Sequence, residues 1–211
     1  MKKYVAELIG TYGLVFCGTG AIVINDMTEG VVSHLGIAIT FGLIVTAMIY
    51  AFGSISGAHI NPAVTLAFAA VNKVERKDII PYIIAQVLGA LLASGTLRFL
   101  FLEHDTLGIT VPAGSWHQSF IMEIILTYFL MVVILFASEN KEVNSFTGIA
   151  VGAVVLLEAL FAGPITGASM NPARSIGPAL VSMHLENLWL YILAPIIGAL
   201  LASLTWKFLD R

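Results

Sequence analysis

Six long apolar stretches limit the folds open to this chain of 211 residues. Each is close to the roughly 20 residues that a helix needs to cross a bilayer. Hydrophobic residues make up 58% of the chain and charged residues 11%, proportions that do not suit a single water-soluble core. The first stretch has no cleavage-site pattern and is followed by further spans, so we expect it to be retained rather than removed as a signal peptide. The predicted spans are residues 4–24, 33–55, 79–101, 117–137, 145–164 and 186–209.

The basic residues predict the orientation of these spans. Of the 10 Lys and Arg residues, only Arg98 and Arg174 fall on the side away from the termini. Basic loops tend to stay in the cytoplasm, so we expect both termini to be cytoplasmic, in the plasma (inner) membrane. The scattered basic residues form no stripe for a phosphate backbone, which excludes nucleic acid as a partner. The basic residues on the side of the termini are Lys2, Lys3, Lys73, Arg76, Lys77, Lys141, Lys207 and Arg211.

Two short apolar segments, residues 61–71 and 171–181, do not fit the six-span pattern. At about 1.5 Å per residue each would cross about half of a bilayer core roughly 30 Å thick. Each opens with Asn-Pro-Ala, where Asn is a favoured helix cap and Pro a favoured first helical residue. We therefore predict two half-helices at the ends of re-entrant loops. Their motif residues are Asn61, Pro62, Ala63, Asn171, Pro172 and Ala173.

The chain also repeats itself around these motifs. The pattern that begins at Ser56 and ends at Ala63 recurs, with Thr for Ser, from Thr166 to Ala173. Glu7 in the first copy corresponds to Glu123 in the second. An odd number of spans in each repeat requires the second copy to insert upside down. We therefore predict an all-α membrane protein with six transmembrane helices and two re-entrant half-helices in an inverted repeat. It is a single channel domain over residues 1–211, with repeats of roughly 1–110 and 111–211.

Inversion brings the two half-helix N-termini together near the middle of the membrane. Irregular backbone at that depth is tolerated beside a water-filled cavity, so the loop carbonyl groups should line a path for neutral molecules. The two Asn amides add donors, and the positive ends of both helix dipoles oppose cations and hydrated protons. The predicted carbonyl positions are Gly57, Ala58, His59, Ile60, Gly167, Ala168, Ser169 and Met170.

Three further polar positions have expected structural roles. A carboxylate in each repeat, Glu7 or Glu123, would either anchor its loop or serve a proton relay, and the anchor is favoured because loop N–H groups need acceptors. His59 is expected to bond the loop rather than a metal, since no other His stands at ligand spacing. With the lone Cys17, no disulfide, thiolate cluster, metal site or cofactor is expected.

Two Asn-Pro-Ala boxes, six spans and an inverted repeat together resemble the aquaporin, or major intrinsic protein, family over essentially the whole chain. The sequence of residues 163–175 is similar to that of plant nodulin-like and tonoplast intrinsic proteins, while the short termini resemble those of prokaryotic or minimal members. The resemblance implies a homotetramer with one pore per subunit. It also implies a selectivity filter formed by Phe41, Ala159, Ala168 and Arg174.

This sequence departs from the water-selective pattern of that family at Ala159, where those members usually carry His. Glycerol-conducting members usually keep two aromatic residues in the filter, whereas only Phe41 is present here. We expect a channel for water and small uncharged solutes such as glycerol or urea. A facilitator of glycerol, ammonia or a metalloid, with water secondary, is the alternative. Glu158, where many relatives have Asn, either bonds the loop backbone or reaches the pore.

Two other classes of protein were considered. An ion-coupled transporter can be built from inverted repeats with broken helices, but it needs titratable or ion-binding groups near the midplane, where this sequence offers Asn. An enzyme needs a convergent nucleophile, base and orienting group, and the few polar intramembrane residues provide none. We therefore expect no enzymatic activity.

Overall fold

The computed structural model describes residues 1–209, and within them the chain forms eight α-helices and a short 3-10 turn, Asn144–Phe146. Six helices are long and apolar enough to cross a membrane, which confirms the predicted count. Their ends differ from the predicted ones by up to three residues, and some terminal turns take in polar residues such as Lys2 and Arg76. Arg211, counted above among the basic residues, lies outside the described residues. The six are α1 (Lys2–Met27), α2 (Ser33–Ser56), α4 (Arg76–Leu100), α5 (Trp116–Glu139), α6 (Thr147–Thr166) and α8 (Leu188–Leu209).

The two remaining helices are short and follow the Asn-Pro-Ala boxes. They are α3 (Pro62–Ala70) and α7 (Pro172–Ser182), so both half-helices form where the sequence predicts them. Helix α3 packs mainly against α8, and α7 mainly against α4. Each half-helix therefore rests on the last long helix of the other half of the chain, which fixes the two halves around a shared centre.

Close helix contacts hold the frame around that centre. Within the halves α1 packs on α4 and α5 on α8, and between the halves α2 packs on α6. A Cβ atom on Gly89 would collide with the carbonyl oxygen of Leu8, and Gly198 of α8 approaches α5 in the same way. Helices α2 and α6 meet at Gly42 and Gly152, where a Cβ on Gly42 would lie 2.6 Å from the carbonyl oxygen of Gly152. Small residues thus allow the backbones to touch, as is usual in membrane bundles.

Candidate pore

Each half-helix begins at an Asn that caps it. The Oδ1 atom of Asn61 accepts a hydrogen bond from the N–H of Ala63 at 2.9 Å. The Oδ1 atom of Asn171 accepts from the N–H groups of Ala173 at 3.0 Å and Arg174 at 3.4 Å. Because the cap fixes the oxygen of each amide on its own helix, the amide nitrogen is turned toward the opposite half.

The two amide nitrogens join the re-entrant loops to each other. Asn61 Nδ2 donates to the carbonyl oxygen of Met170 at 2.8 Å, and Asn171 Nδ2 donates to that of Ile60 at 2.9 Å. An amide nitrogen carries two hydrogens. The second hydrogen of each has no protein acceptor among residues 1–209, and both Asn side chains line a cavity described below. One donor on each Asn is therefore free for a passing molecule.

The loops between the long helices and the half-helices adopt backbone conformations that side chains usually avoid. Three residues in each loop have a positive φ, and only one of the three is Gly, so each loop stores strain of about 1–3 kcal/mol per non-glycine residue. Such a conformation persists only where surrounding groups hold it. The residues are Gly57 (φ 85°), Ala58 (47°) and Ile60 (44°) in the first loop, and Gly167 (82°), Ala168 (41°) and Met170 (53°) in the second.

In the first loop the holding group is the fully buried carboxylate of Glu7 on α1. Its Oε1 accepts from Ser56 Oγ at 2.7 Å and from the N–H of His59 at 2.9 Å. Its Oε2 accepts from the N–H of Ile60 and from Gln86 Nε2, both at 2.7 Å. The four donors satisfy the carboxylate and fix the loop, which favours the anchor over a proton relay for this residue.

In the second loop Glu123 of α5 holds the equivalent place and is also fully buried. Its Oε1 accepts from Thr166 Oγ1 at 2.7 Å and the N–H of Ser169 at 2.8 Å, and its Oε2 from the N–H of Met170 at 2.8 Å. Two consecutive loop N–H groups are thereby bonded to a carboxylate that does not line the cavity.

A cavity of about 110 Å³ lies between the two halves, and all four residues of the proposed filter line it. Seven of the eight predicted carbonyl positions line it as well. Gly167 does not: its N–H ends α6 by bonding the carbonyl oxygen of Gly163 at 2.9 Å, and its outer face packs on Thr110. The Pro and Ala residues of both motifs lie buried in the first turns of α3 and α7. The predicted residues that line the cavity are Phe41, Gly57, Ala58, His59, Ile60, Asn61, Ala159, Ala168, Ser169, Met170, Asn171 and Arg174.

Most of the rest of the cavity wall is apolar, with Ser138 and Thr147 as its polar members, and it was not predicted from the sequence. Val45 and Val155 hold corresponding places before the two motifs, so the register of the repeat was a signal that could have found them. A mainly apolar wall gives a passing water few partners that compete with the polar groups of the loops. The unpredicted lining residues include Leu14, Val45, Ile49, Val64, Phe68, Leu130, Ile134, Val151 and Val155.

Arg174 is the one charged side chain among the lining residues within residues 1–209, and it is 2% exposed. Its Nη1 donates to the carbonyl oxygen of Gly108 at 2.7 Å, and its guanidinium lies 5.1 Å from the centre of the Phe41 ring. A cation over an aromatic face is favourable. In the proposed filter Arg174 thus provides a charged side and Phe41 an apolar side next to it. Ala159 and Ala168 are the other two residues, and both have small side chains.

Glu158 fits neither role considered for it. Its side chain is 6% exposed and makes no hydrogen bond with the loop backbone in the described part of the chain. It is also absent from the cavity wall, because one position along α6 turns it about 100° from Ala159. Its Oε2 atom is buried without a protein partner among residues 1–209.

A second, wider cavity of about 830 Å³ opens at the end of the molecule that carries the N-terminus. Lys3, Lys73, Asp78 and Glu139 contribute charged groups to its wall. His59 lines both cavities, so the two lie next to each other at this residue. The ring of His59 is held by a 3.1 Å hydrogen bond between its Nδ1 and Thr65 Oγ1, in keeping with its expected role in bonding the loop.

Comparisons with known proteins agree with this geometry. The family described as Major intrinsic protein matches residues 1–206. The chain is 48% identical to Nodulin-26 of Glycine max over 95% of its length and 74% of that protein, and 48% identical to Aquaporin NIP1-1 of Zea mays over 99% and 74%. The solved aquaglyceroporin from Plasmodium falciparum superposes with a TM-score of 0.89 at 26% identity, over 99% of this chain and 96% of that one. This chain belongs to the major intrinsic protein family.

Proposed function

We propose that this chain forms a passive channel that conducts water and small uncharged solutes and excludes protons and ions. The observation that carries the proposal is the cavity wall itself. Residues of both loops, both Asn side chains and a buried Arg line one narrow space, and each Asn keeps one N–H free among residues 1–209. Acceptors and donors along the path replace the partners that water has in bulk, while Arg174 and two helix N-termini repel cations.

The proposed filter favours a solute range wider than water. Two of its four residues, Ala159 and Ala168, are small, and Phe41 alone supplies an aromatic face. Small uncharged molecules with a short carbon backbone, such as glycerol, fit a site that has one apolar face and one hydrogen-bonding edge. A facilitator in which such solutes are the main cargo and water is secondary is the second candidate, and the same two Ala residues favour it.

Several finer features belong to the same proposal. We propose a homotetramer in the plasma (inner) membrane with both termini cytoplasmic, supported by the family and by the basic residues near the termini. The two repeats run over roughly residues 1–110 and 111–211. The buried carboxylates of Glu7 and Glu123 are bonded to the loops and do not line the cavity, which supports a channel without enzymatic activity.

The test is stopped-flow light scattering of proteoliposomes under parallel gradients of an impermeant osmolyte, glycerol and urea. We expect water flux well above that of empty liposomes and no proton conductance. Solute flux that follows a proton or sodium gradient would instead support an ion-coupled transporter. Water flux equal to that of empty liposomes, from a folded preparation, would refute the channel.

A matched pair of substitutions on α6 ties any flux to this cavity. Val155 lines the cavity, whereas Leu157, two residues away, is 59% exposed on the outer surface. Val155→Trp should fill the space and abolish water flux, and Leu157→Trp should leave it at the wild-type level. Equal flux from both variants would show that water takes another route.

A further inference from the structure

The segment that joins the two halves of the chain, residues 101–115, reaches back to the second half-helix. Its Gly108 carbonyl oxygen accepts the Arg174 hydrogen bond, and the hydroxyl groups of Thr110 and Ser175 lie 2.8 Å apart. Leu107, beside Gly108, is fully buried at a positive φ of 55°. A connection that is buried, turned and bonded in this way is part of the pore structure rather than a loose link.

Thr110 begins a chain of three buried hydroxyl groups. Ser175 Oγ lies 2.6 Å from Ser169 Oγ, and Ser169 Oγ lies 3.0 Å from the carbonyl oxygen of Asn171. A carbonyl oxygen can only accept, and each hydroxyl has one hydrogen to donate. The consistent direction is therefore from Thr110 to Ser175, from Ser175 to Ser169, and from Ser169 to the Asn171 carbonyl oxygen. In that direction every hydroxyl hydrogen has an acceptor.

Thr110 is also packed against the second re-entrant loop. Thr110 is 7% exposed and Ser175 1%. A Cβ atom on Gly167, whose φ is 82°, would lie 3.0 Å from Thr110 Cγ2. The methyl group of Thr110 therefore fills the space beside the left-handed turn of the second loop. Three residues farther on, the N–H of Ala113 donates to the carbonyl oxygen of Ile165 at 3.0 Å.

The far end of the chain of hydroxyl groups touches the cavity, although Thr110 does not. Ser169 and Asn171 line the cavity, and Arg174 lies between Asn171 and Ser175 on the first turns of α7. We propose that Thr110 is a positioning residue of the filter: through Ser175 and Ser169 it fixes the second loop and the direction of the Arg174 side chain, and so limits the size of solute that crosses. The inference rests on the proposed function and names a residue outside the pore wall that controls its selectivity.

The test compares Thr110→Val, which removes the hydroxyl and keeps the shape, with Thr110→Ser, which keeps the hydroxyl. Water, urea and glycerol permeabilities are measured on equal amounts of protein in liposomes. Thr110→Val should raise the ratio of solute to water permeability by roughly threefold to tenfold, the size expected for one lost hydrogen bond. Thr110→Ser should keep the wild-type ratio. Thr11→Val is the matched control, since that buried hydroxyl bonds only the carbonyl oxygen of Glu7 on its own helix.

Ser175→Ala, alone and combined with Thr110→Val, tests the chain of hydroxyl groups independently of whether Thr110→Val folds. Ser175→Ala should shift the ratio in the same direction, and the double variant should shift it no further, because one broken chain cannot be broken again. Wild-type ratios in Thr110→Val and Ser175→Ala, or a fully additive double variant, would overturn the inference while leaving the channel intact. No water flux in the wild type would instead refute the proposed function and with it the filter.

Discussion

The two re-entrant loops have the same backbone and the same supports, although they differ in what they present to the cavity. In both, a buried Glu accepts two consecutive loop N–H groups and a hydroxyl hydrogen, and a Tyr from the following long helix donates to the carbonyl oxygen at the start of the loop. In both, the Asn of the motif donates to the opposite loop. The paired supports are Glu7 and Glu123, Ser56 and Thr166, Tyr82 and Tyr191, and Asn61 and Asn171.

The side chains that follow each motif differ. The third residue after Asn61 is Val64, whereas the third after Asn171 is Arg174, and both line the cavity. In the first loop Gln86 of α4 also supports Glu7 and Thr65, while the second loop is supported by Thr110 of the connecting segment. The repeat thus preserves the groups that hold strained backbone and varies those near the permeating molecule, so the charge barrier is built into one end of the pore only.

The largest effect is expected at the shared supports. Glu7→Gln and Glu123→Gln each replace an acceptor by an N–H₂ group that faces a buried backbone N–H, at a cost of about 2–5 kcal/mol in the free energy of unfolding. Gln86 can turn its unpartnered Oε1 toward the new amide at position 7, and nothing equivalent lies beside Glu123 within residues 1–209. The Glu123 variant should therefore lose more.

Thermal unfolding of the purified variants in detergent measures the difference. Glu186→Gln, an exposed carboxylate between α7 and α8, is the control and should unfold at the wild-type temperature. Wild-type stability of either buried variant would contradict the anchor interpretation for that loop. A larger loss at Glu7 than at Glu123 would show that Gln86 does not compensate.

The sequence could predict the fold because the fold follows from features that repeat. Span length, cap chemistry and the doubled motif each predicted a part of it, and the six spans and both half-helices are confirmed. What the sequence could not supply was contact between distant segments. Gly108 and Thr110 lie in a polar connection without periodicity, so nothing marked them as neighbours of Arg174 and Ser175. Glu158 was visible as a departure, but its direction depends on the rotation of α6, which only packing decides.

The second prediction makes the second loop resemble the first. Arg174→Val places there the residue that the first loop has at Val64. It removes the one fixed positive charge that residues 1–209 place in the cavity wall and should admit protons, with conductance rising roughly tenfold, or about 1.4 kcal/mol of barrier. The half-helix dipoles remain, so the leak should be partial.

Proton flux is followed with a pH-sensitive dye enclosed in the proteoliposomes. Arg76→Val is a suitable control, because Arg76 is exposed at the start of α4. An unchanged proton barrier in folded Arg174→Val would mean that the dipoles, which both loops share, are sufficient.

The third prediction concerns the width of the pore. Ala159 precedes Asn171 by the same number of residues as Ile49 precedes Asn61, and both line the cavity. Ala159→His should narrow the proposed filter and add hydrogen-bonding groups for water, so that glycerol and urea fluxes fall roughly tenfold while water flux falls less than about threefold. Glu158→His, outside the cavity wall, should show no such selectivity. Equal losses of water and solute in Ala159→His would remove that position from the filter.

The smallest effect is expected from mercury on the wild type. In the family that this chain belongs to, mercury blocks some members through a cysteine at the position of Ala168, and here the only cysteine, Cys17, is partly buried on α1 and absent from the cavity wall. Osmotic water flux of the wild type should therefore be almost unchanged by mercury.

Two engineered cysteines test the same idea in the loops. Water flux through Ala168→Cys and through its counterpart in the first loop, Ala58→Cys, should become sensitive to mercury, because both positions line the cavity with the same left-handed backbone. Block of only one of the two would show that the loops are not equally exposed to the pore. A block of the wild type that a thiol reverses, and that Cys17→Ser abolishes, would mean that α1 opens toward the cavity.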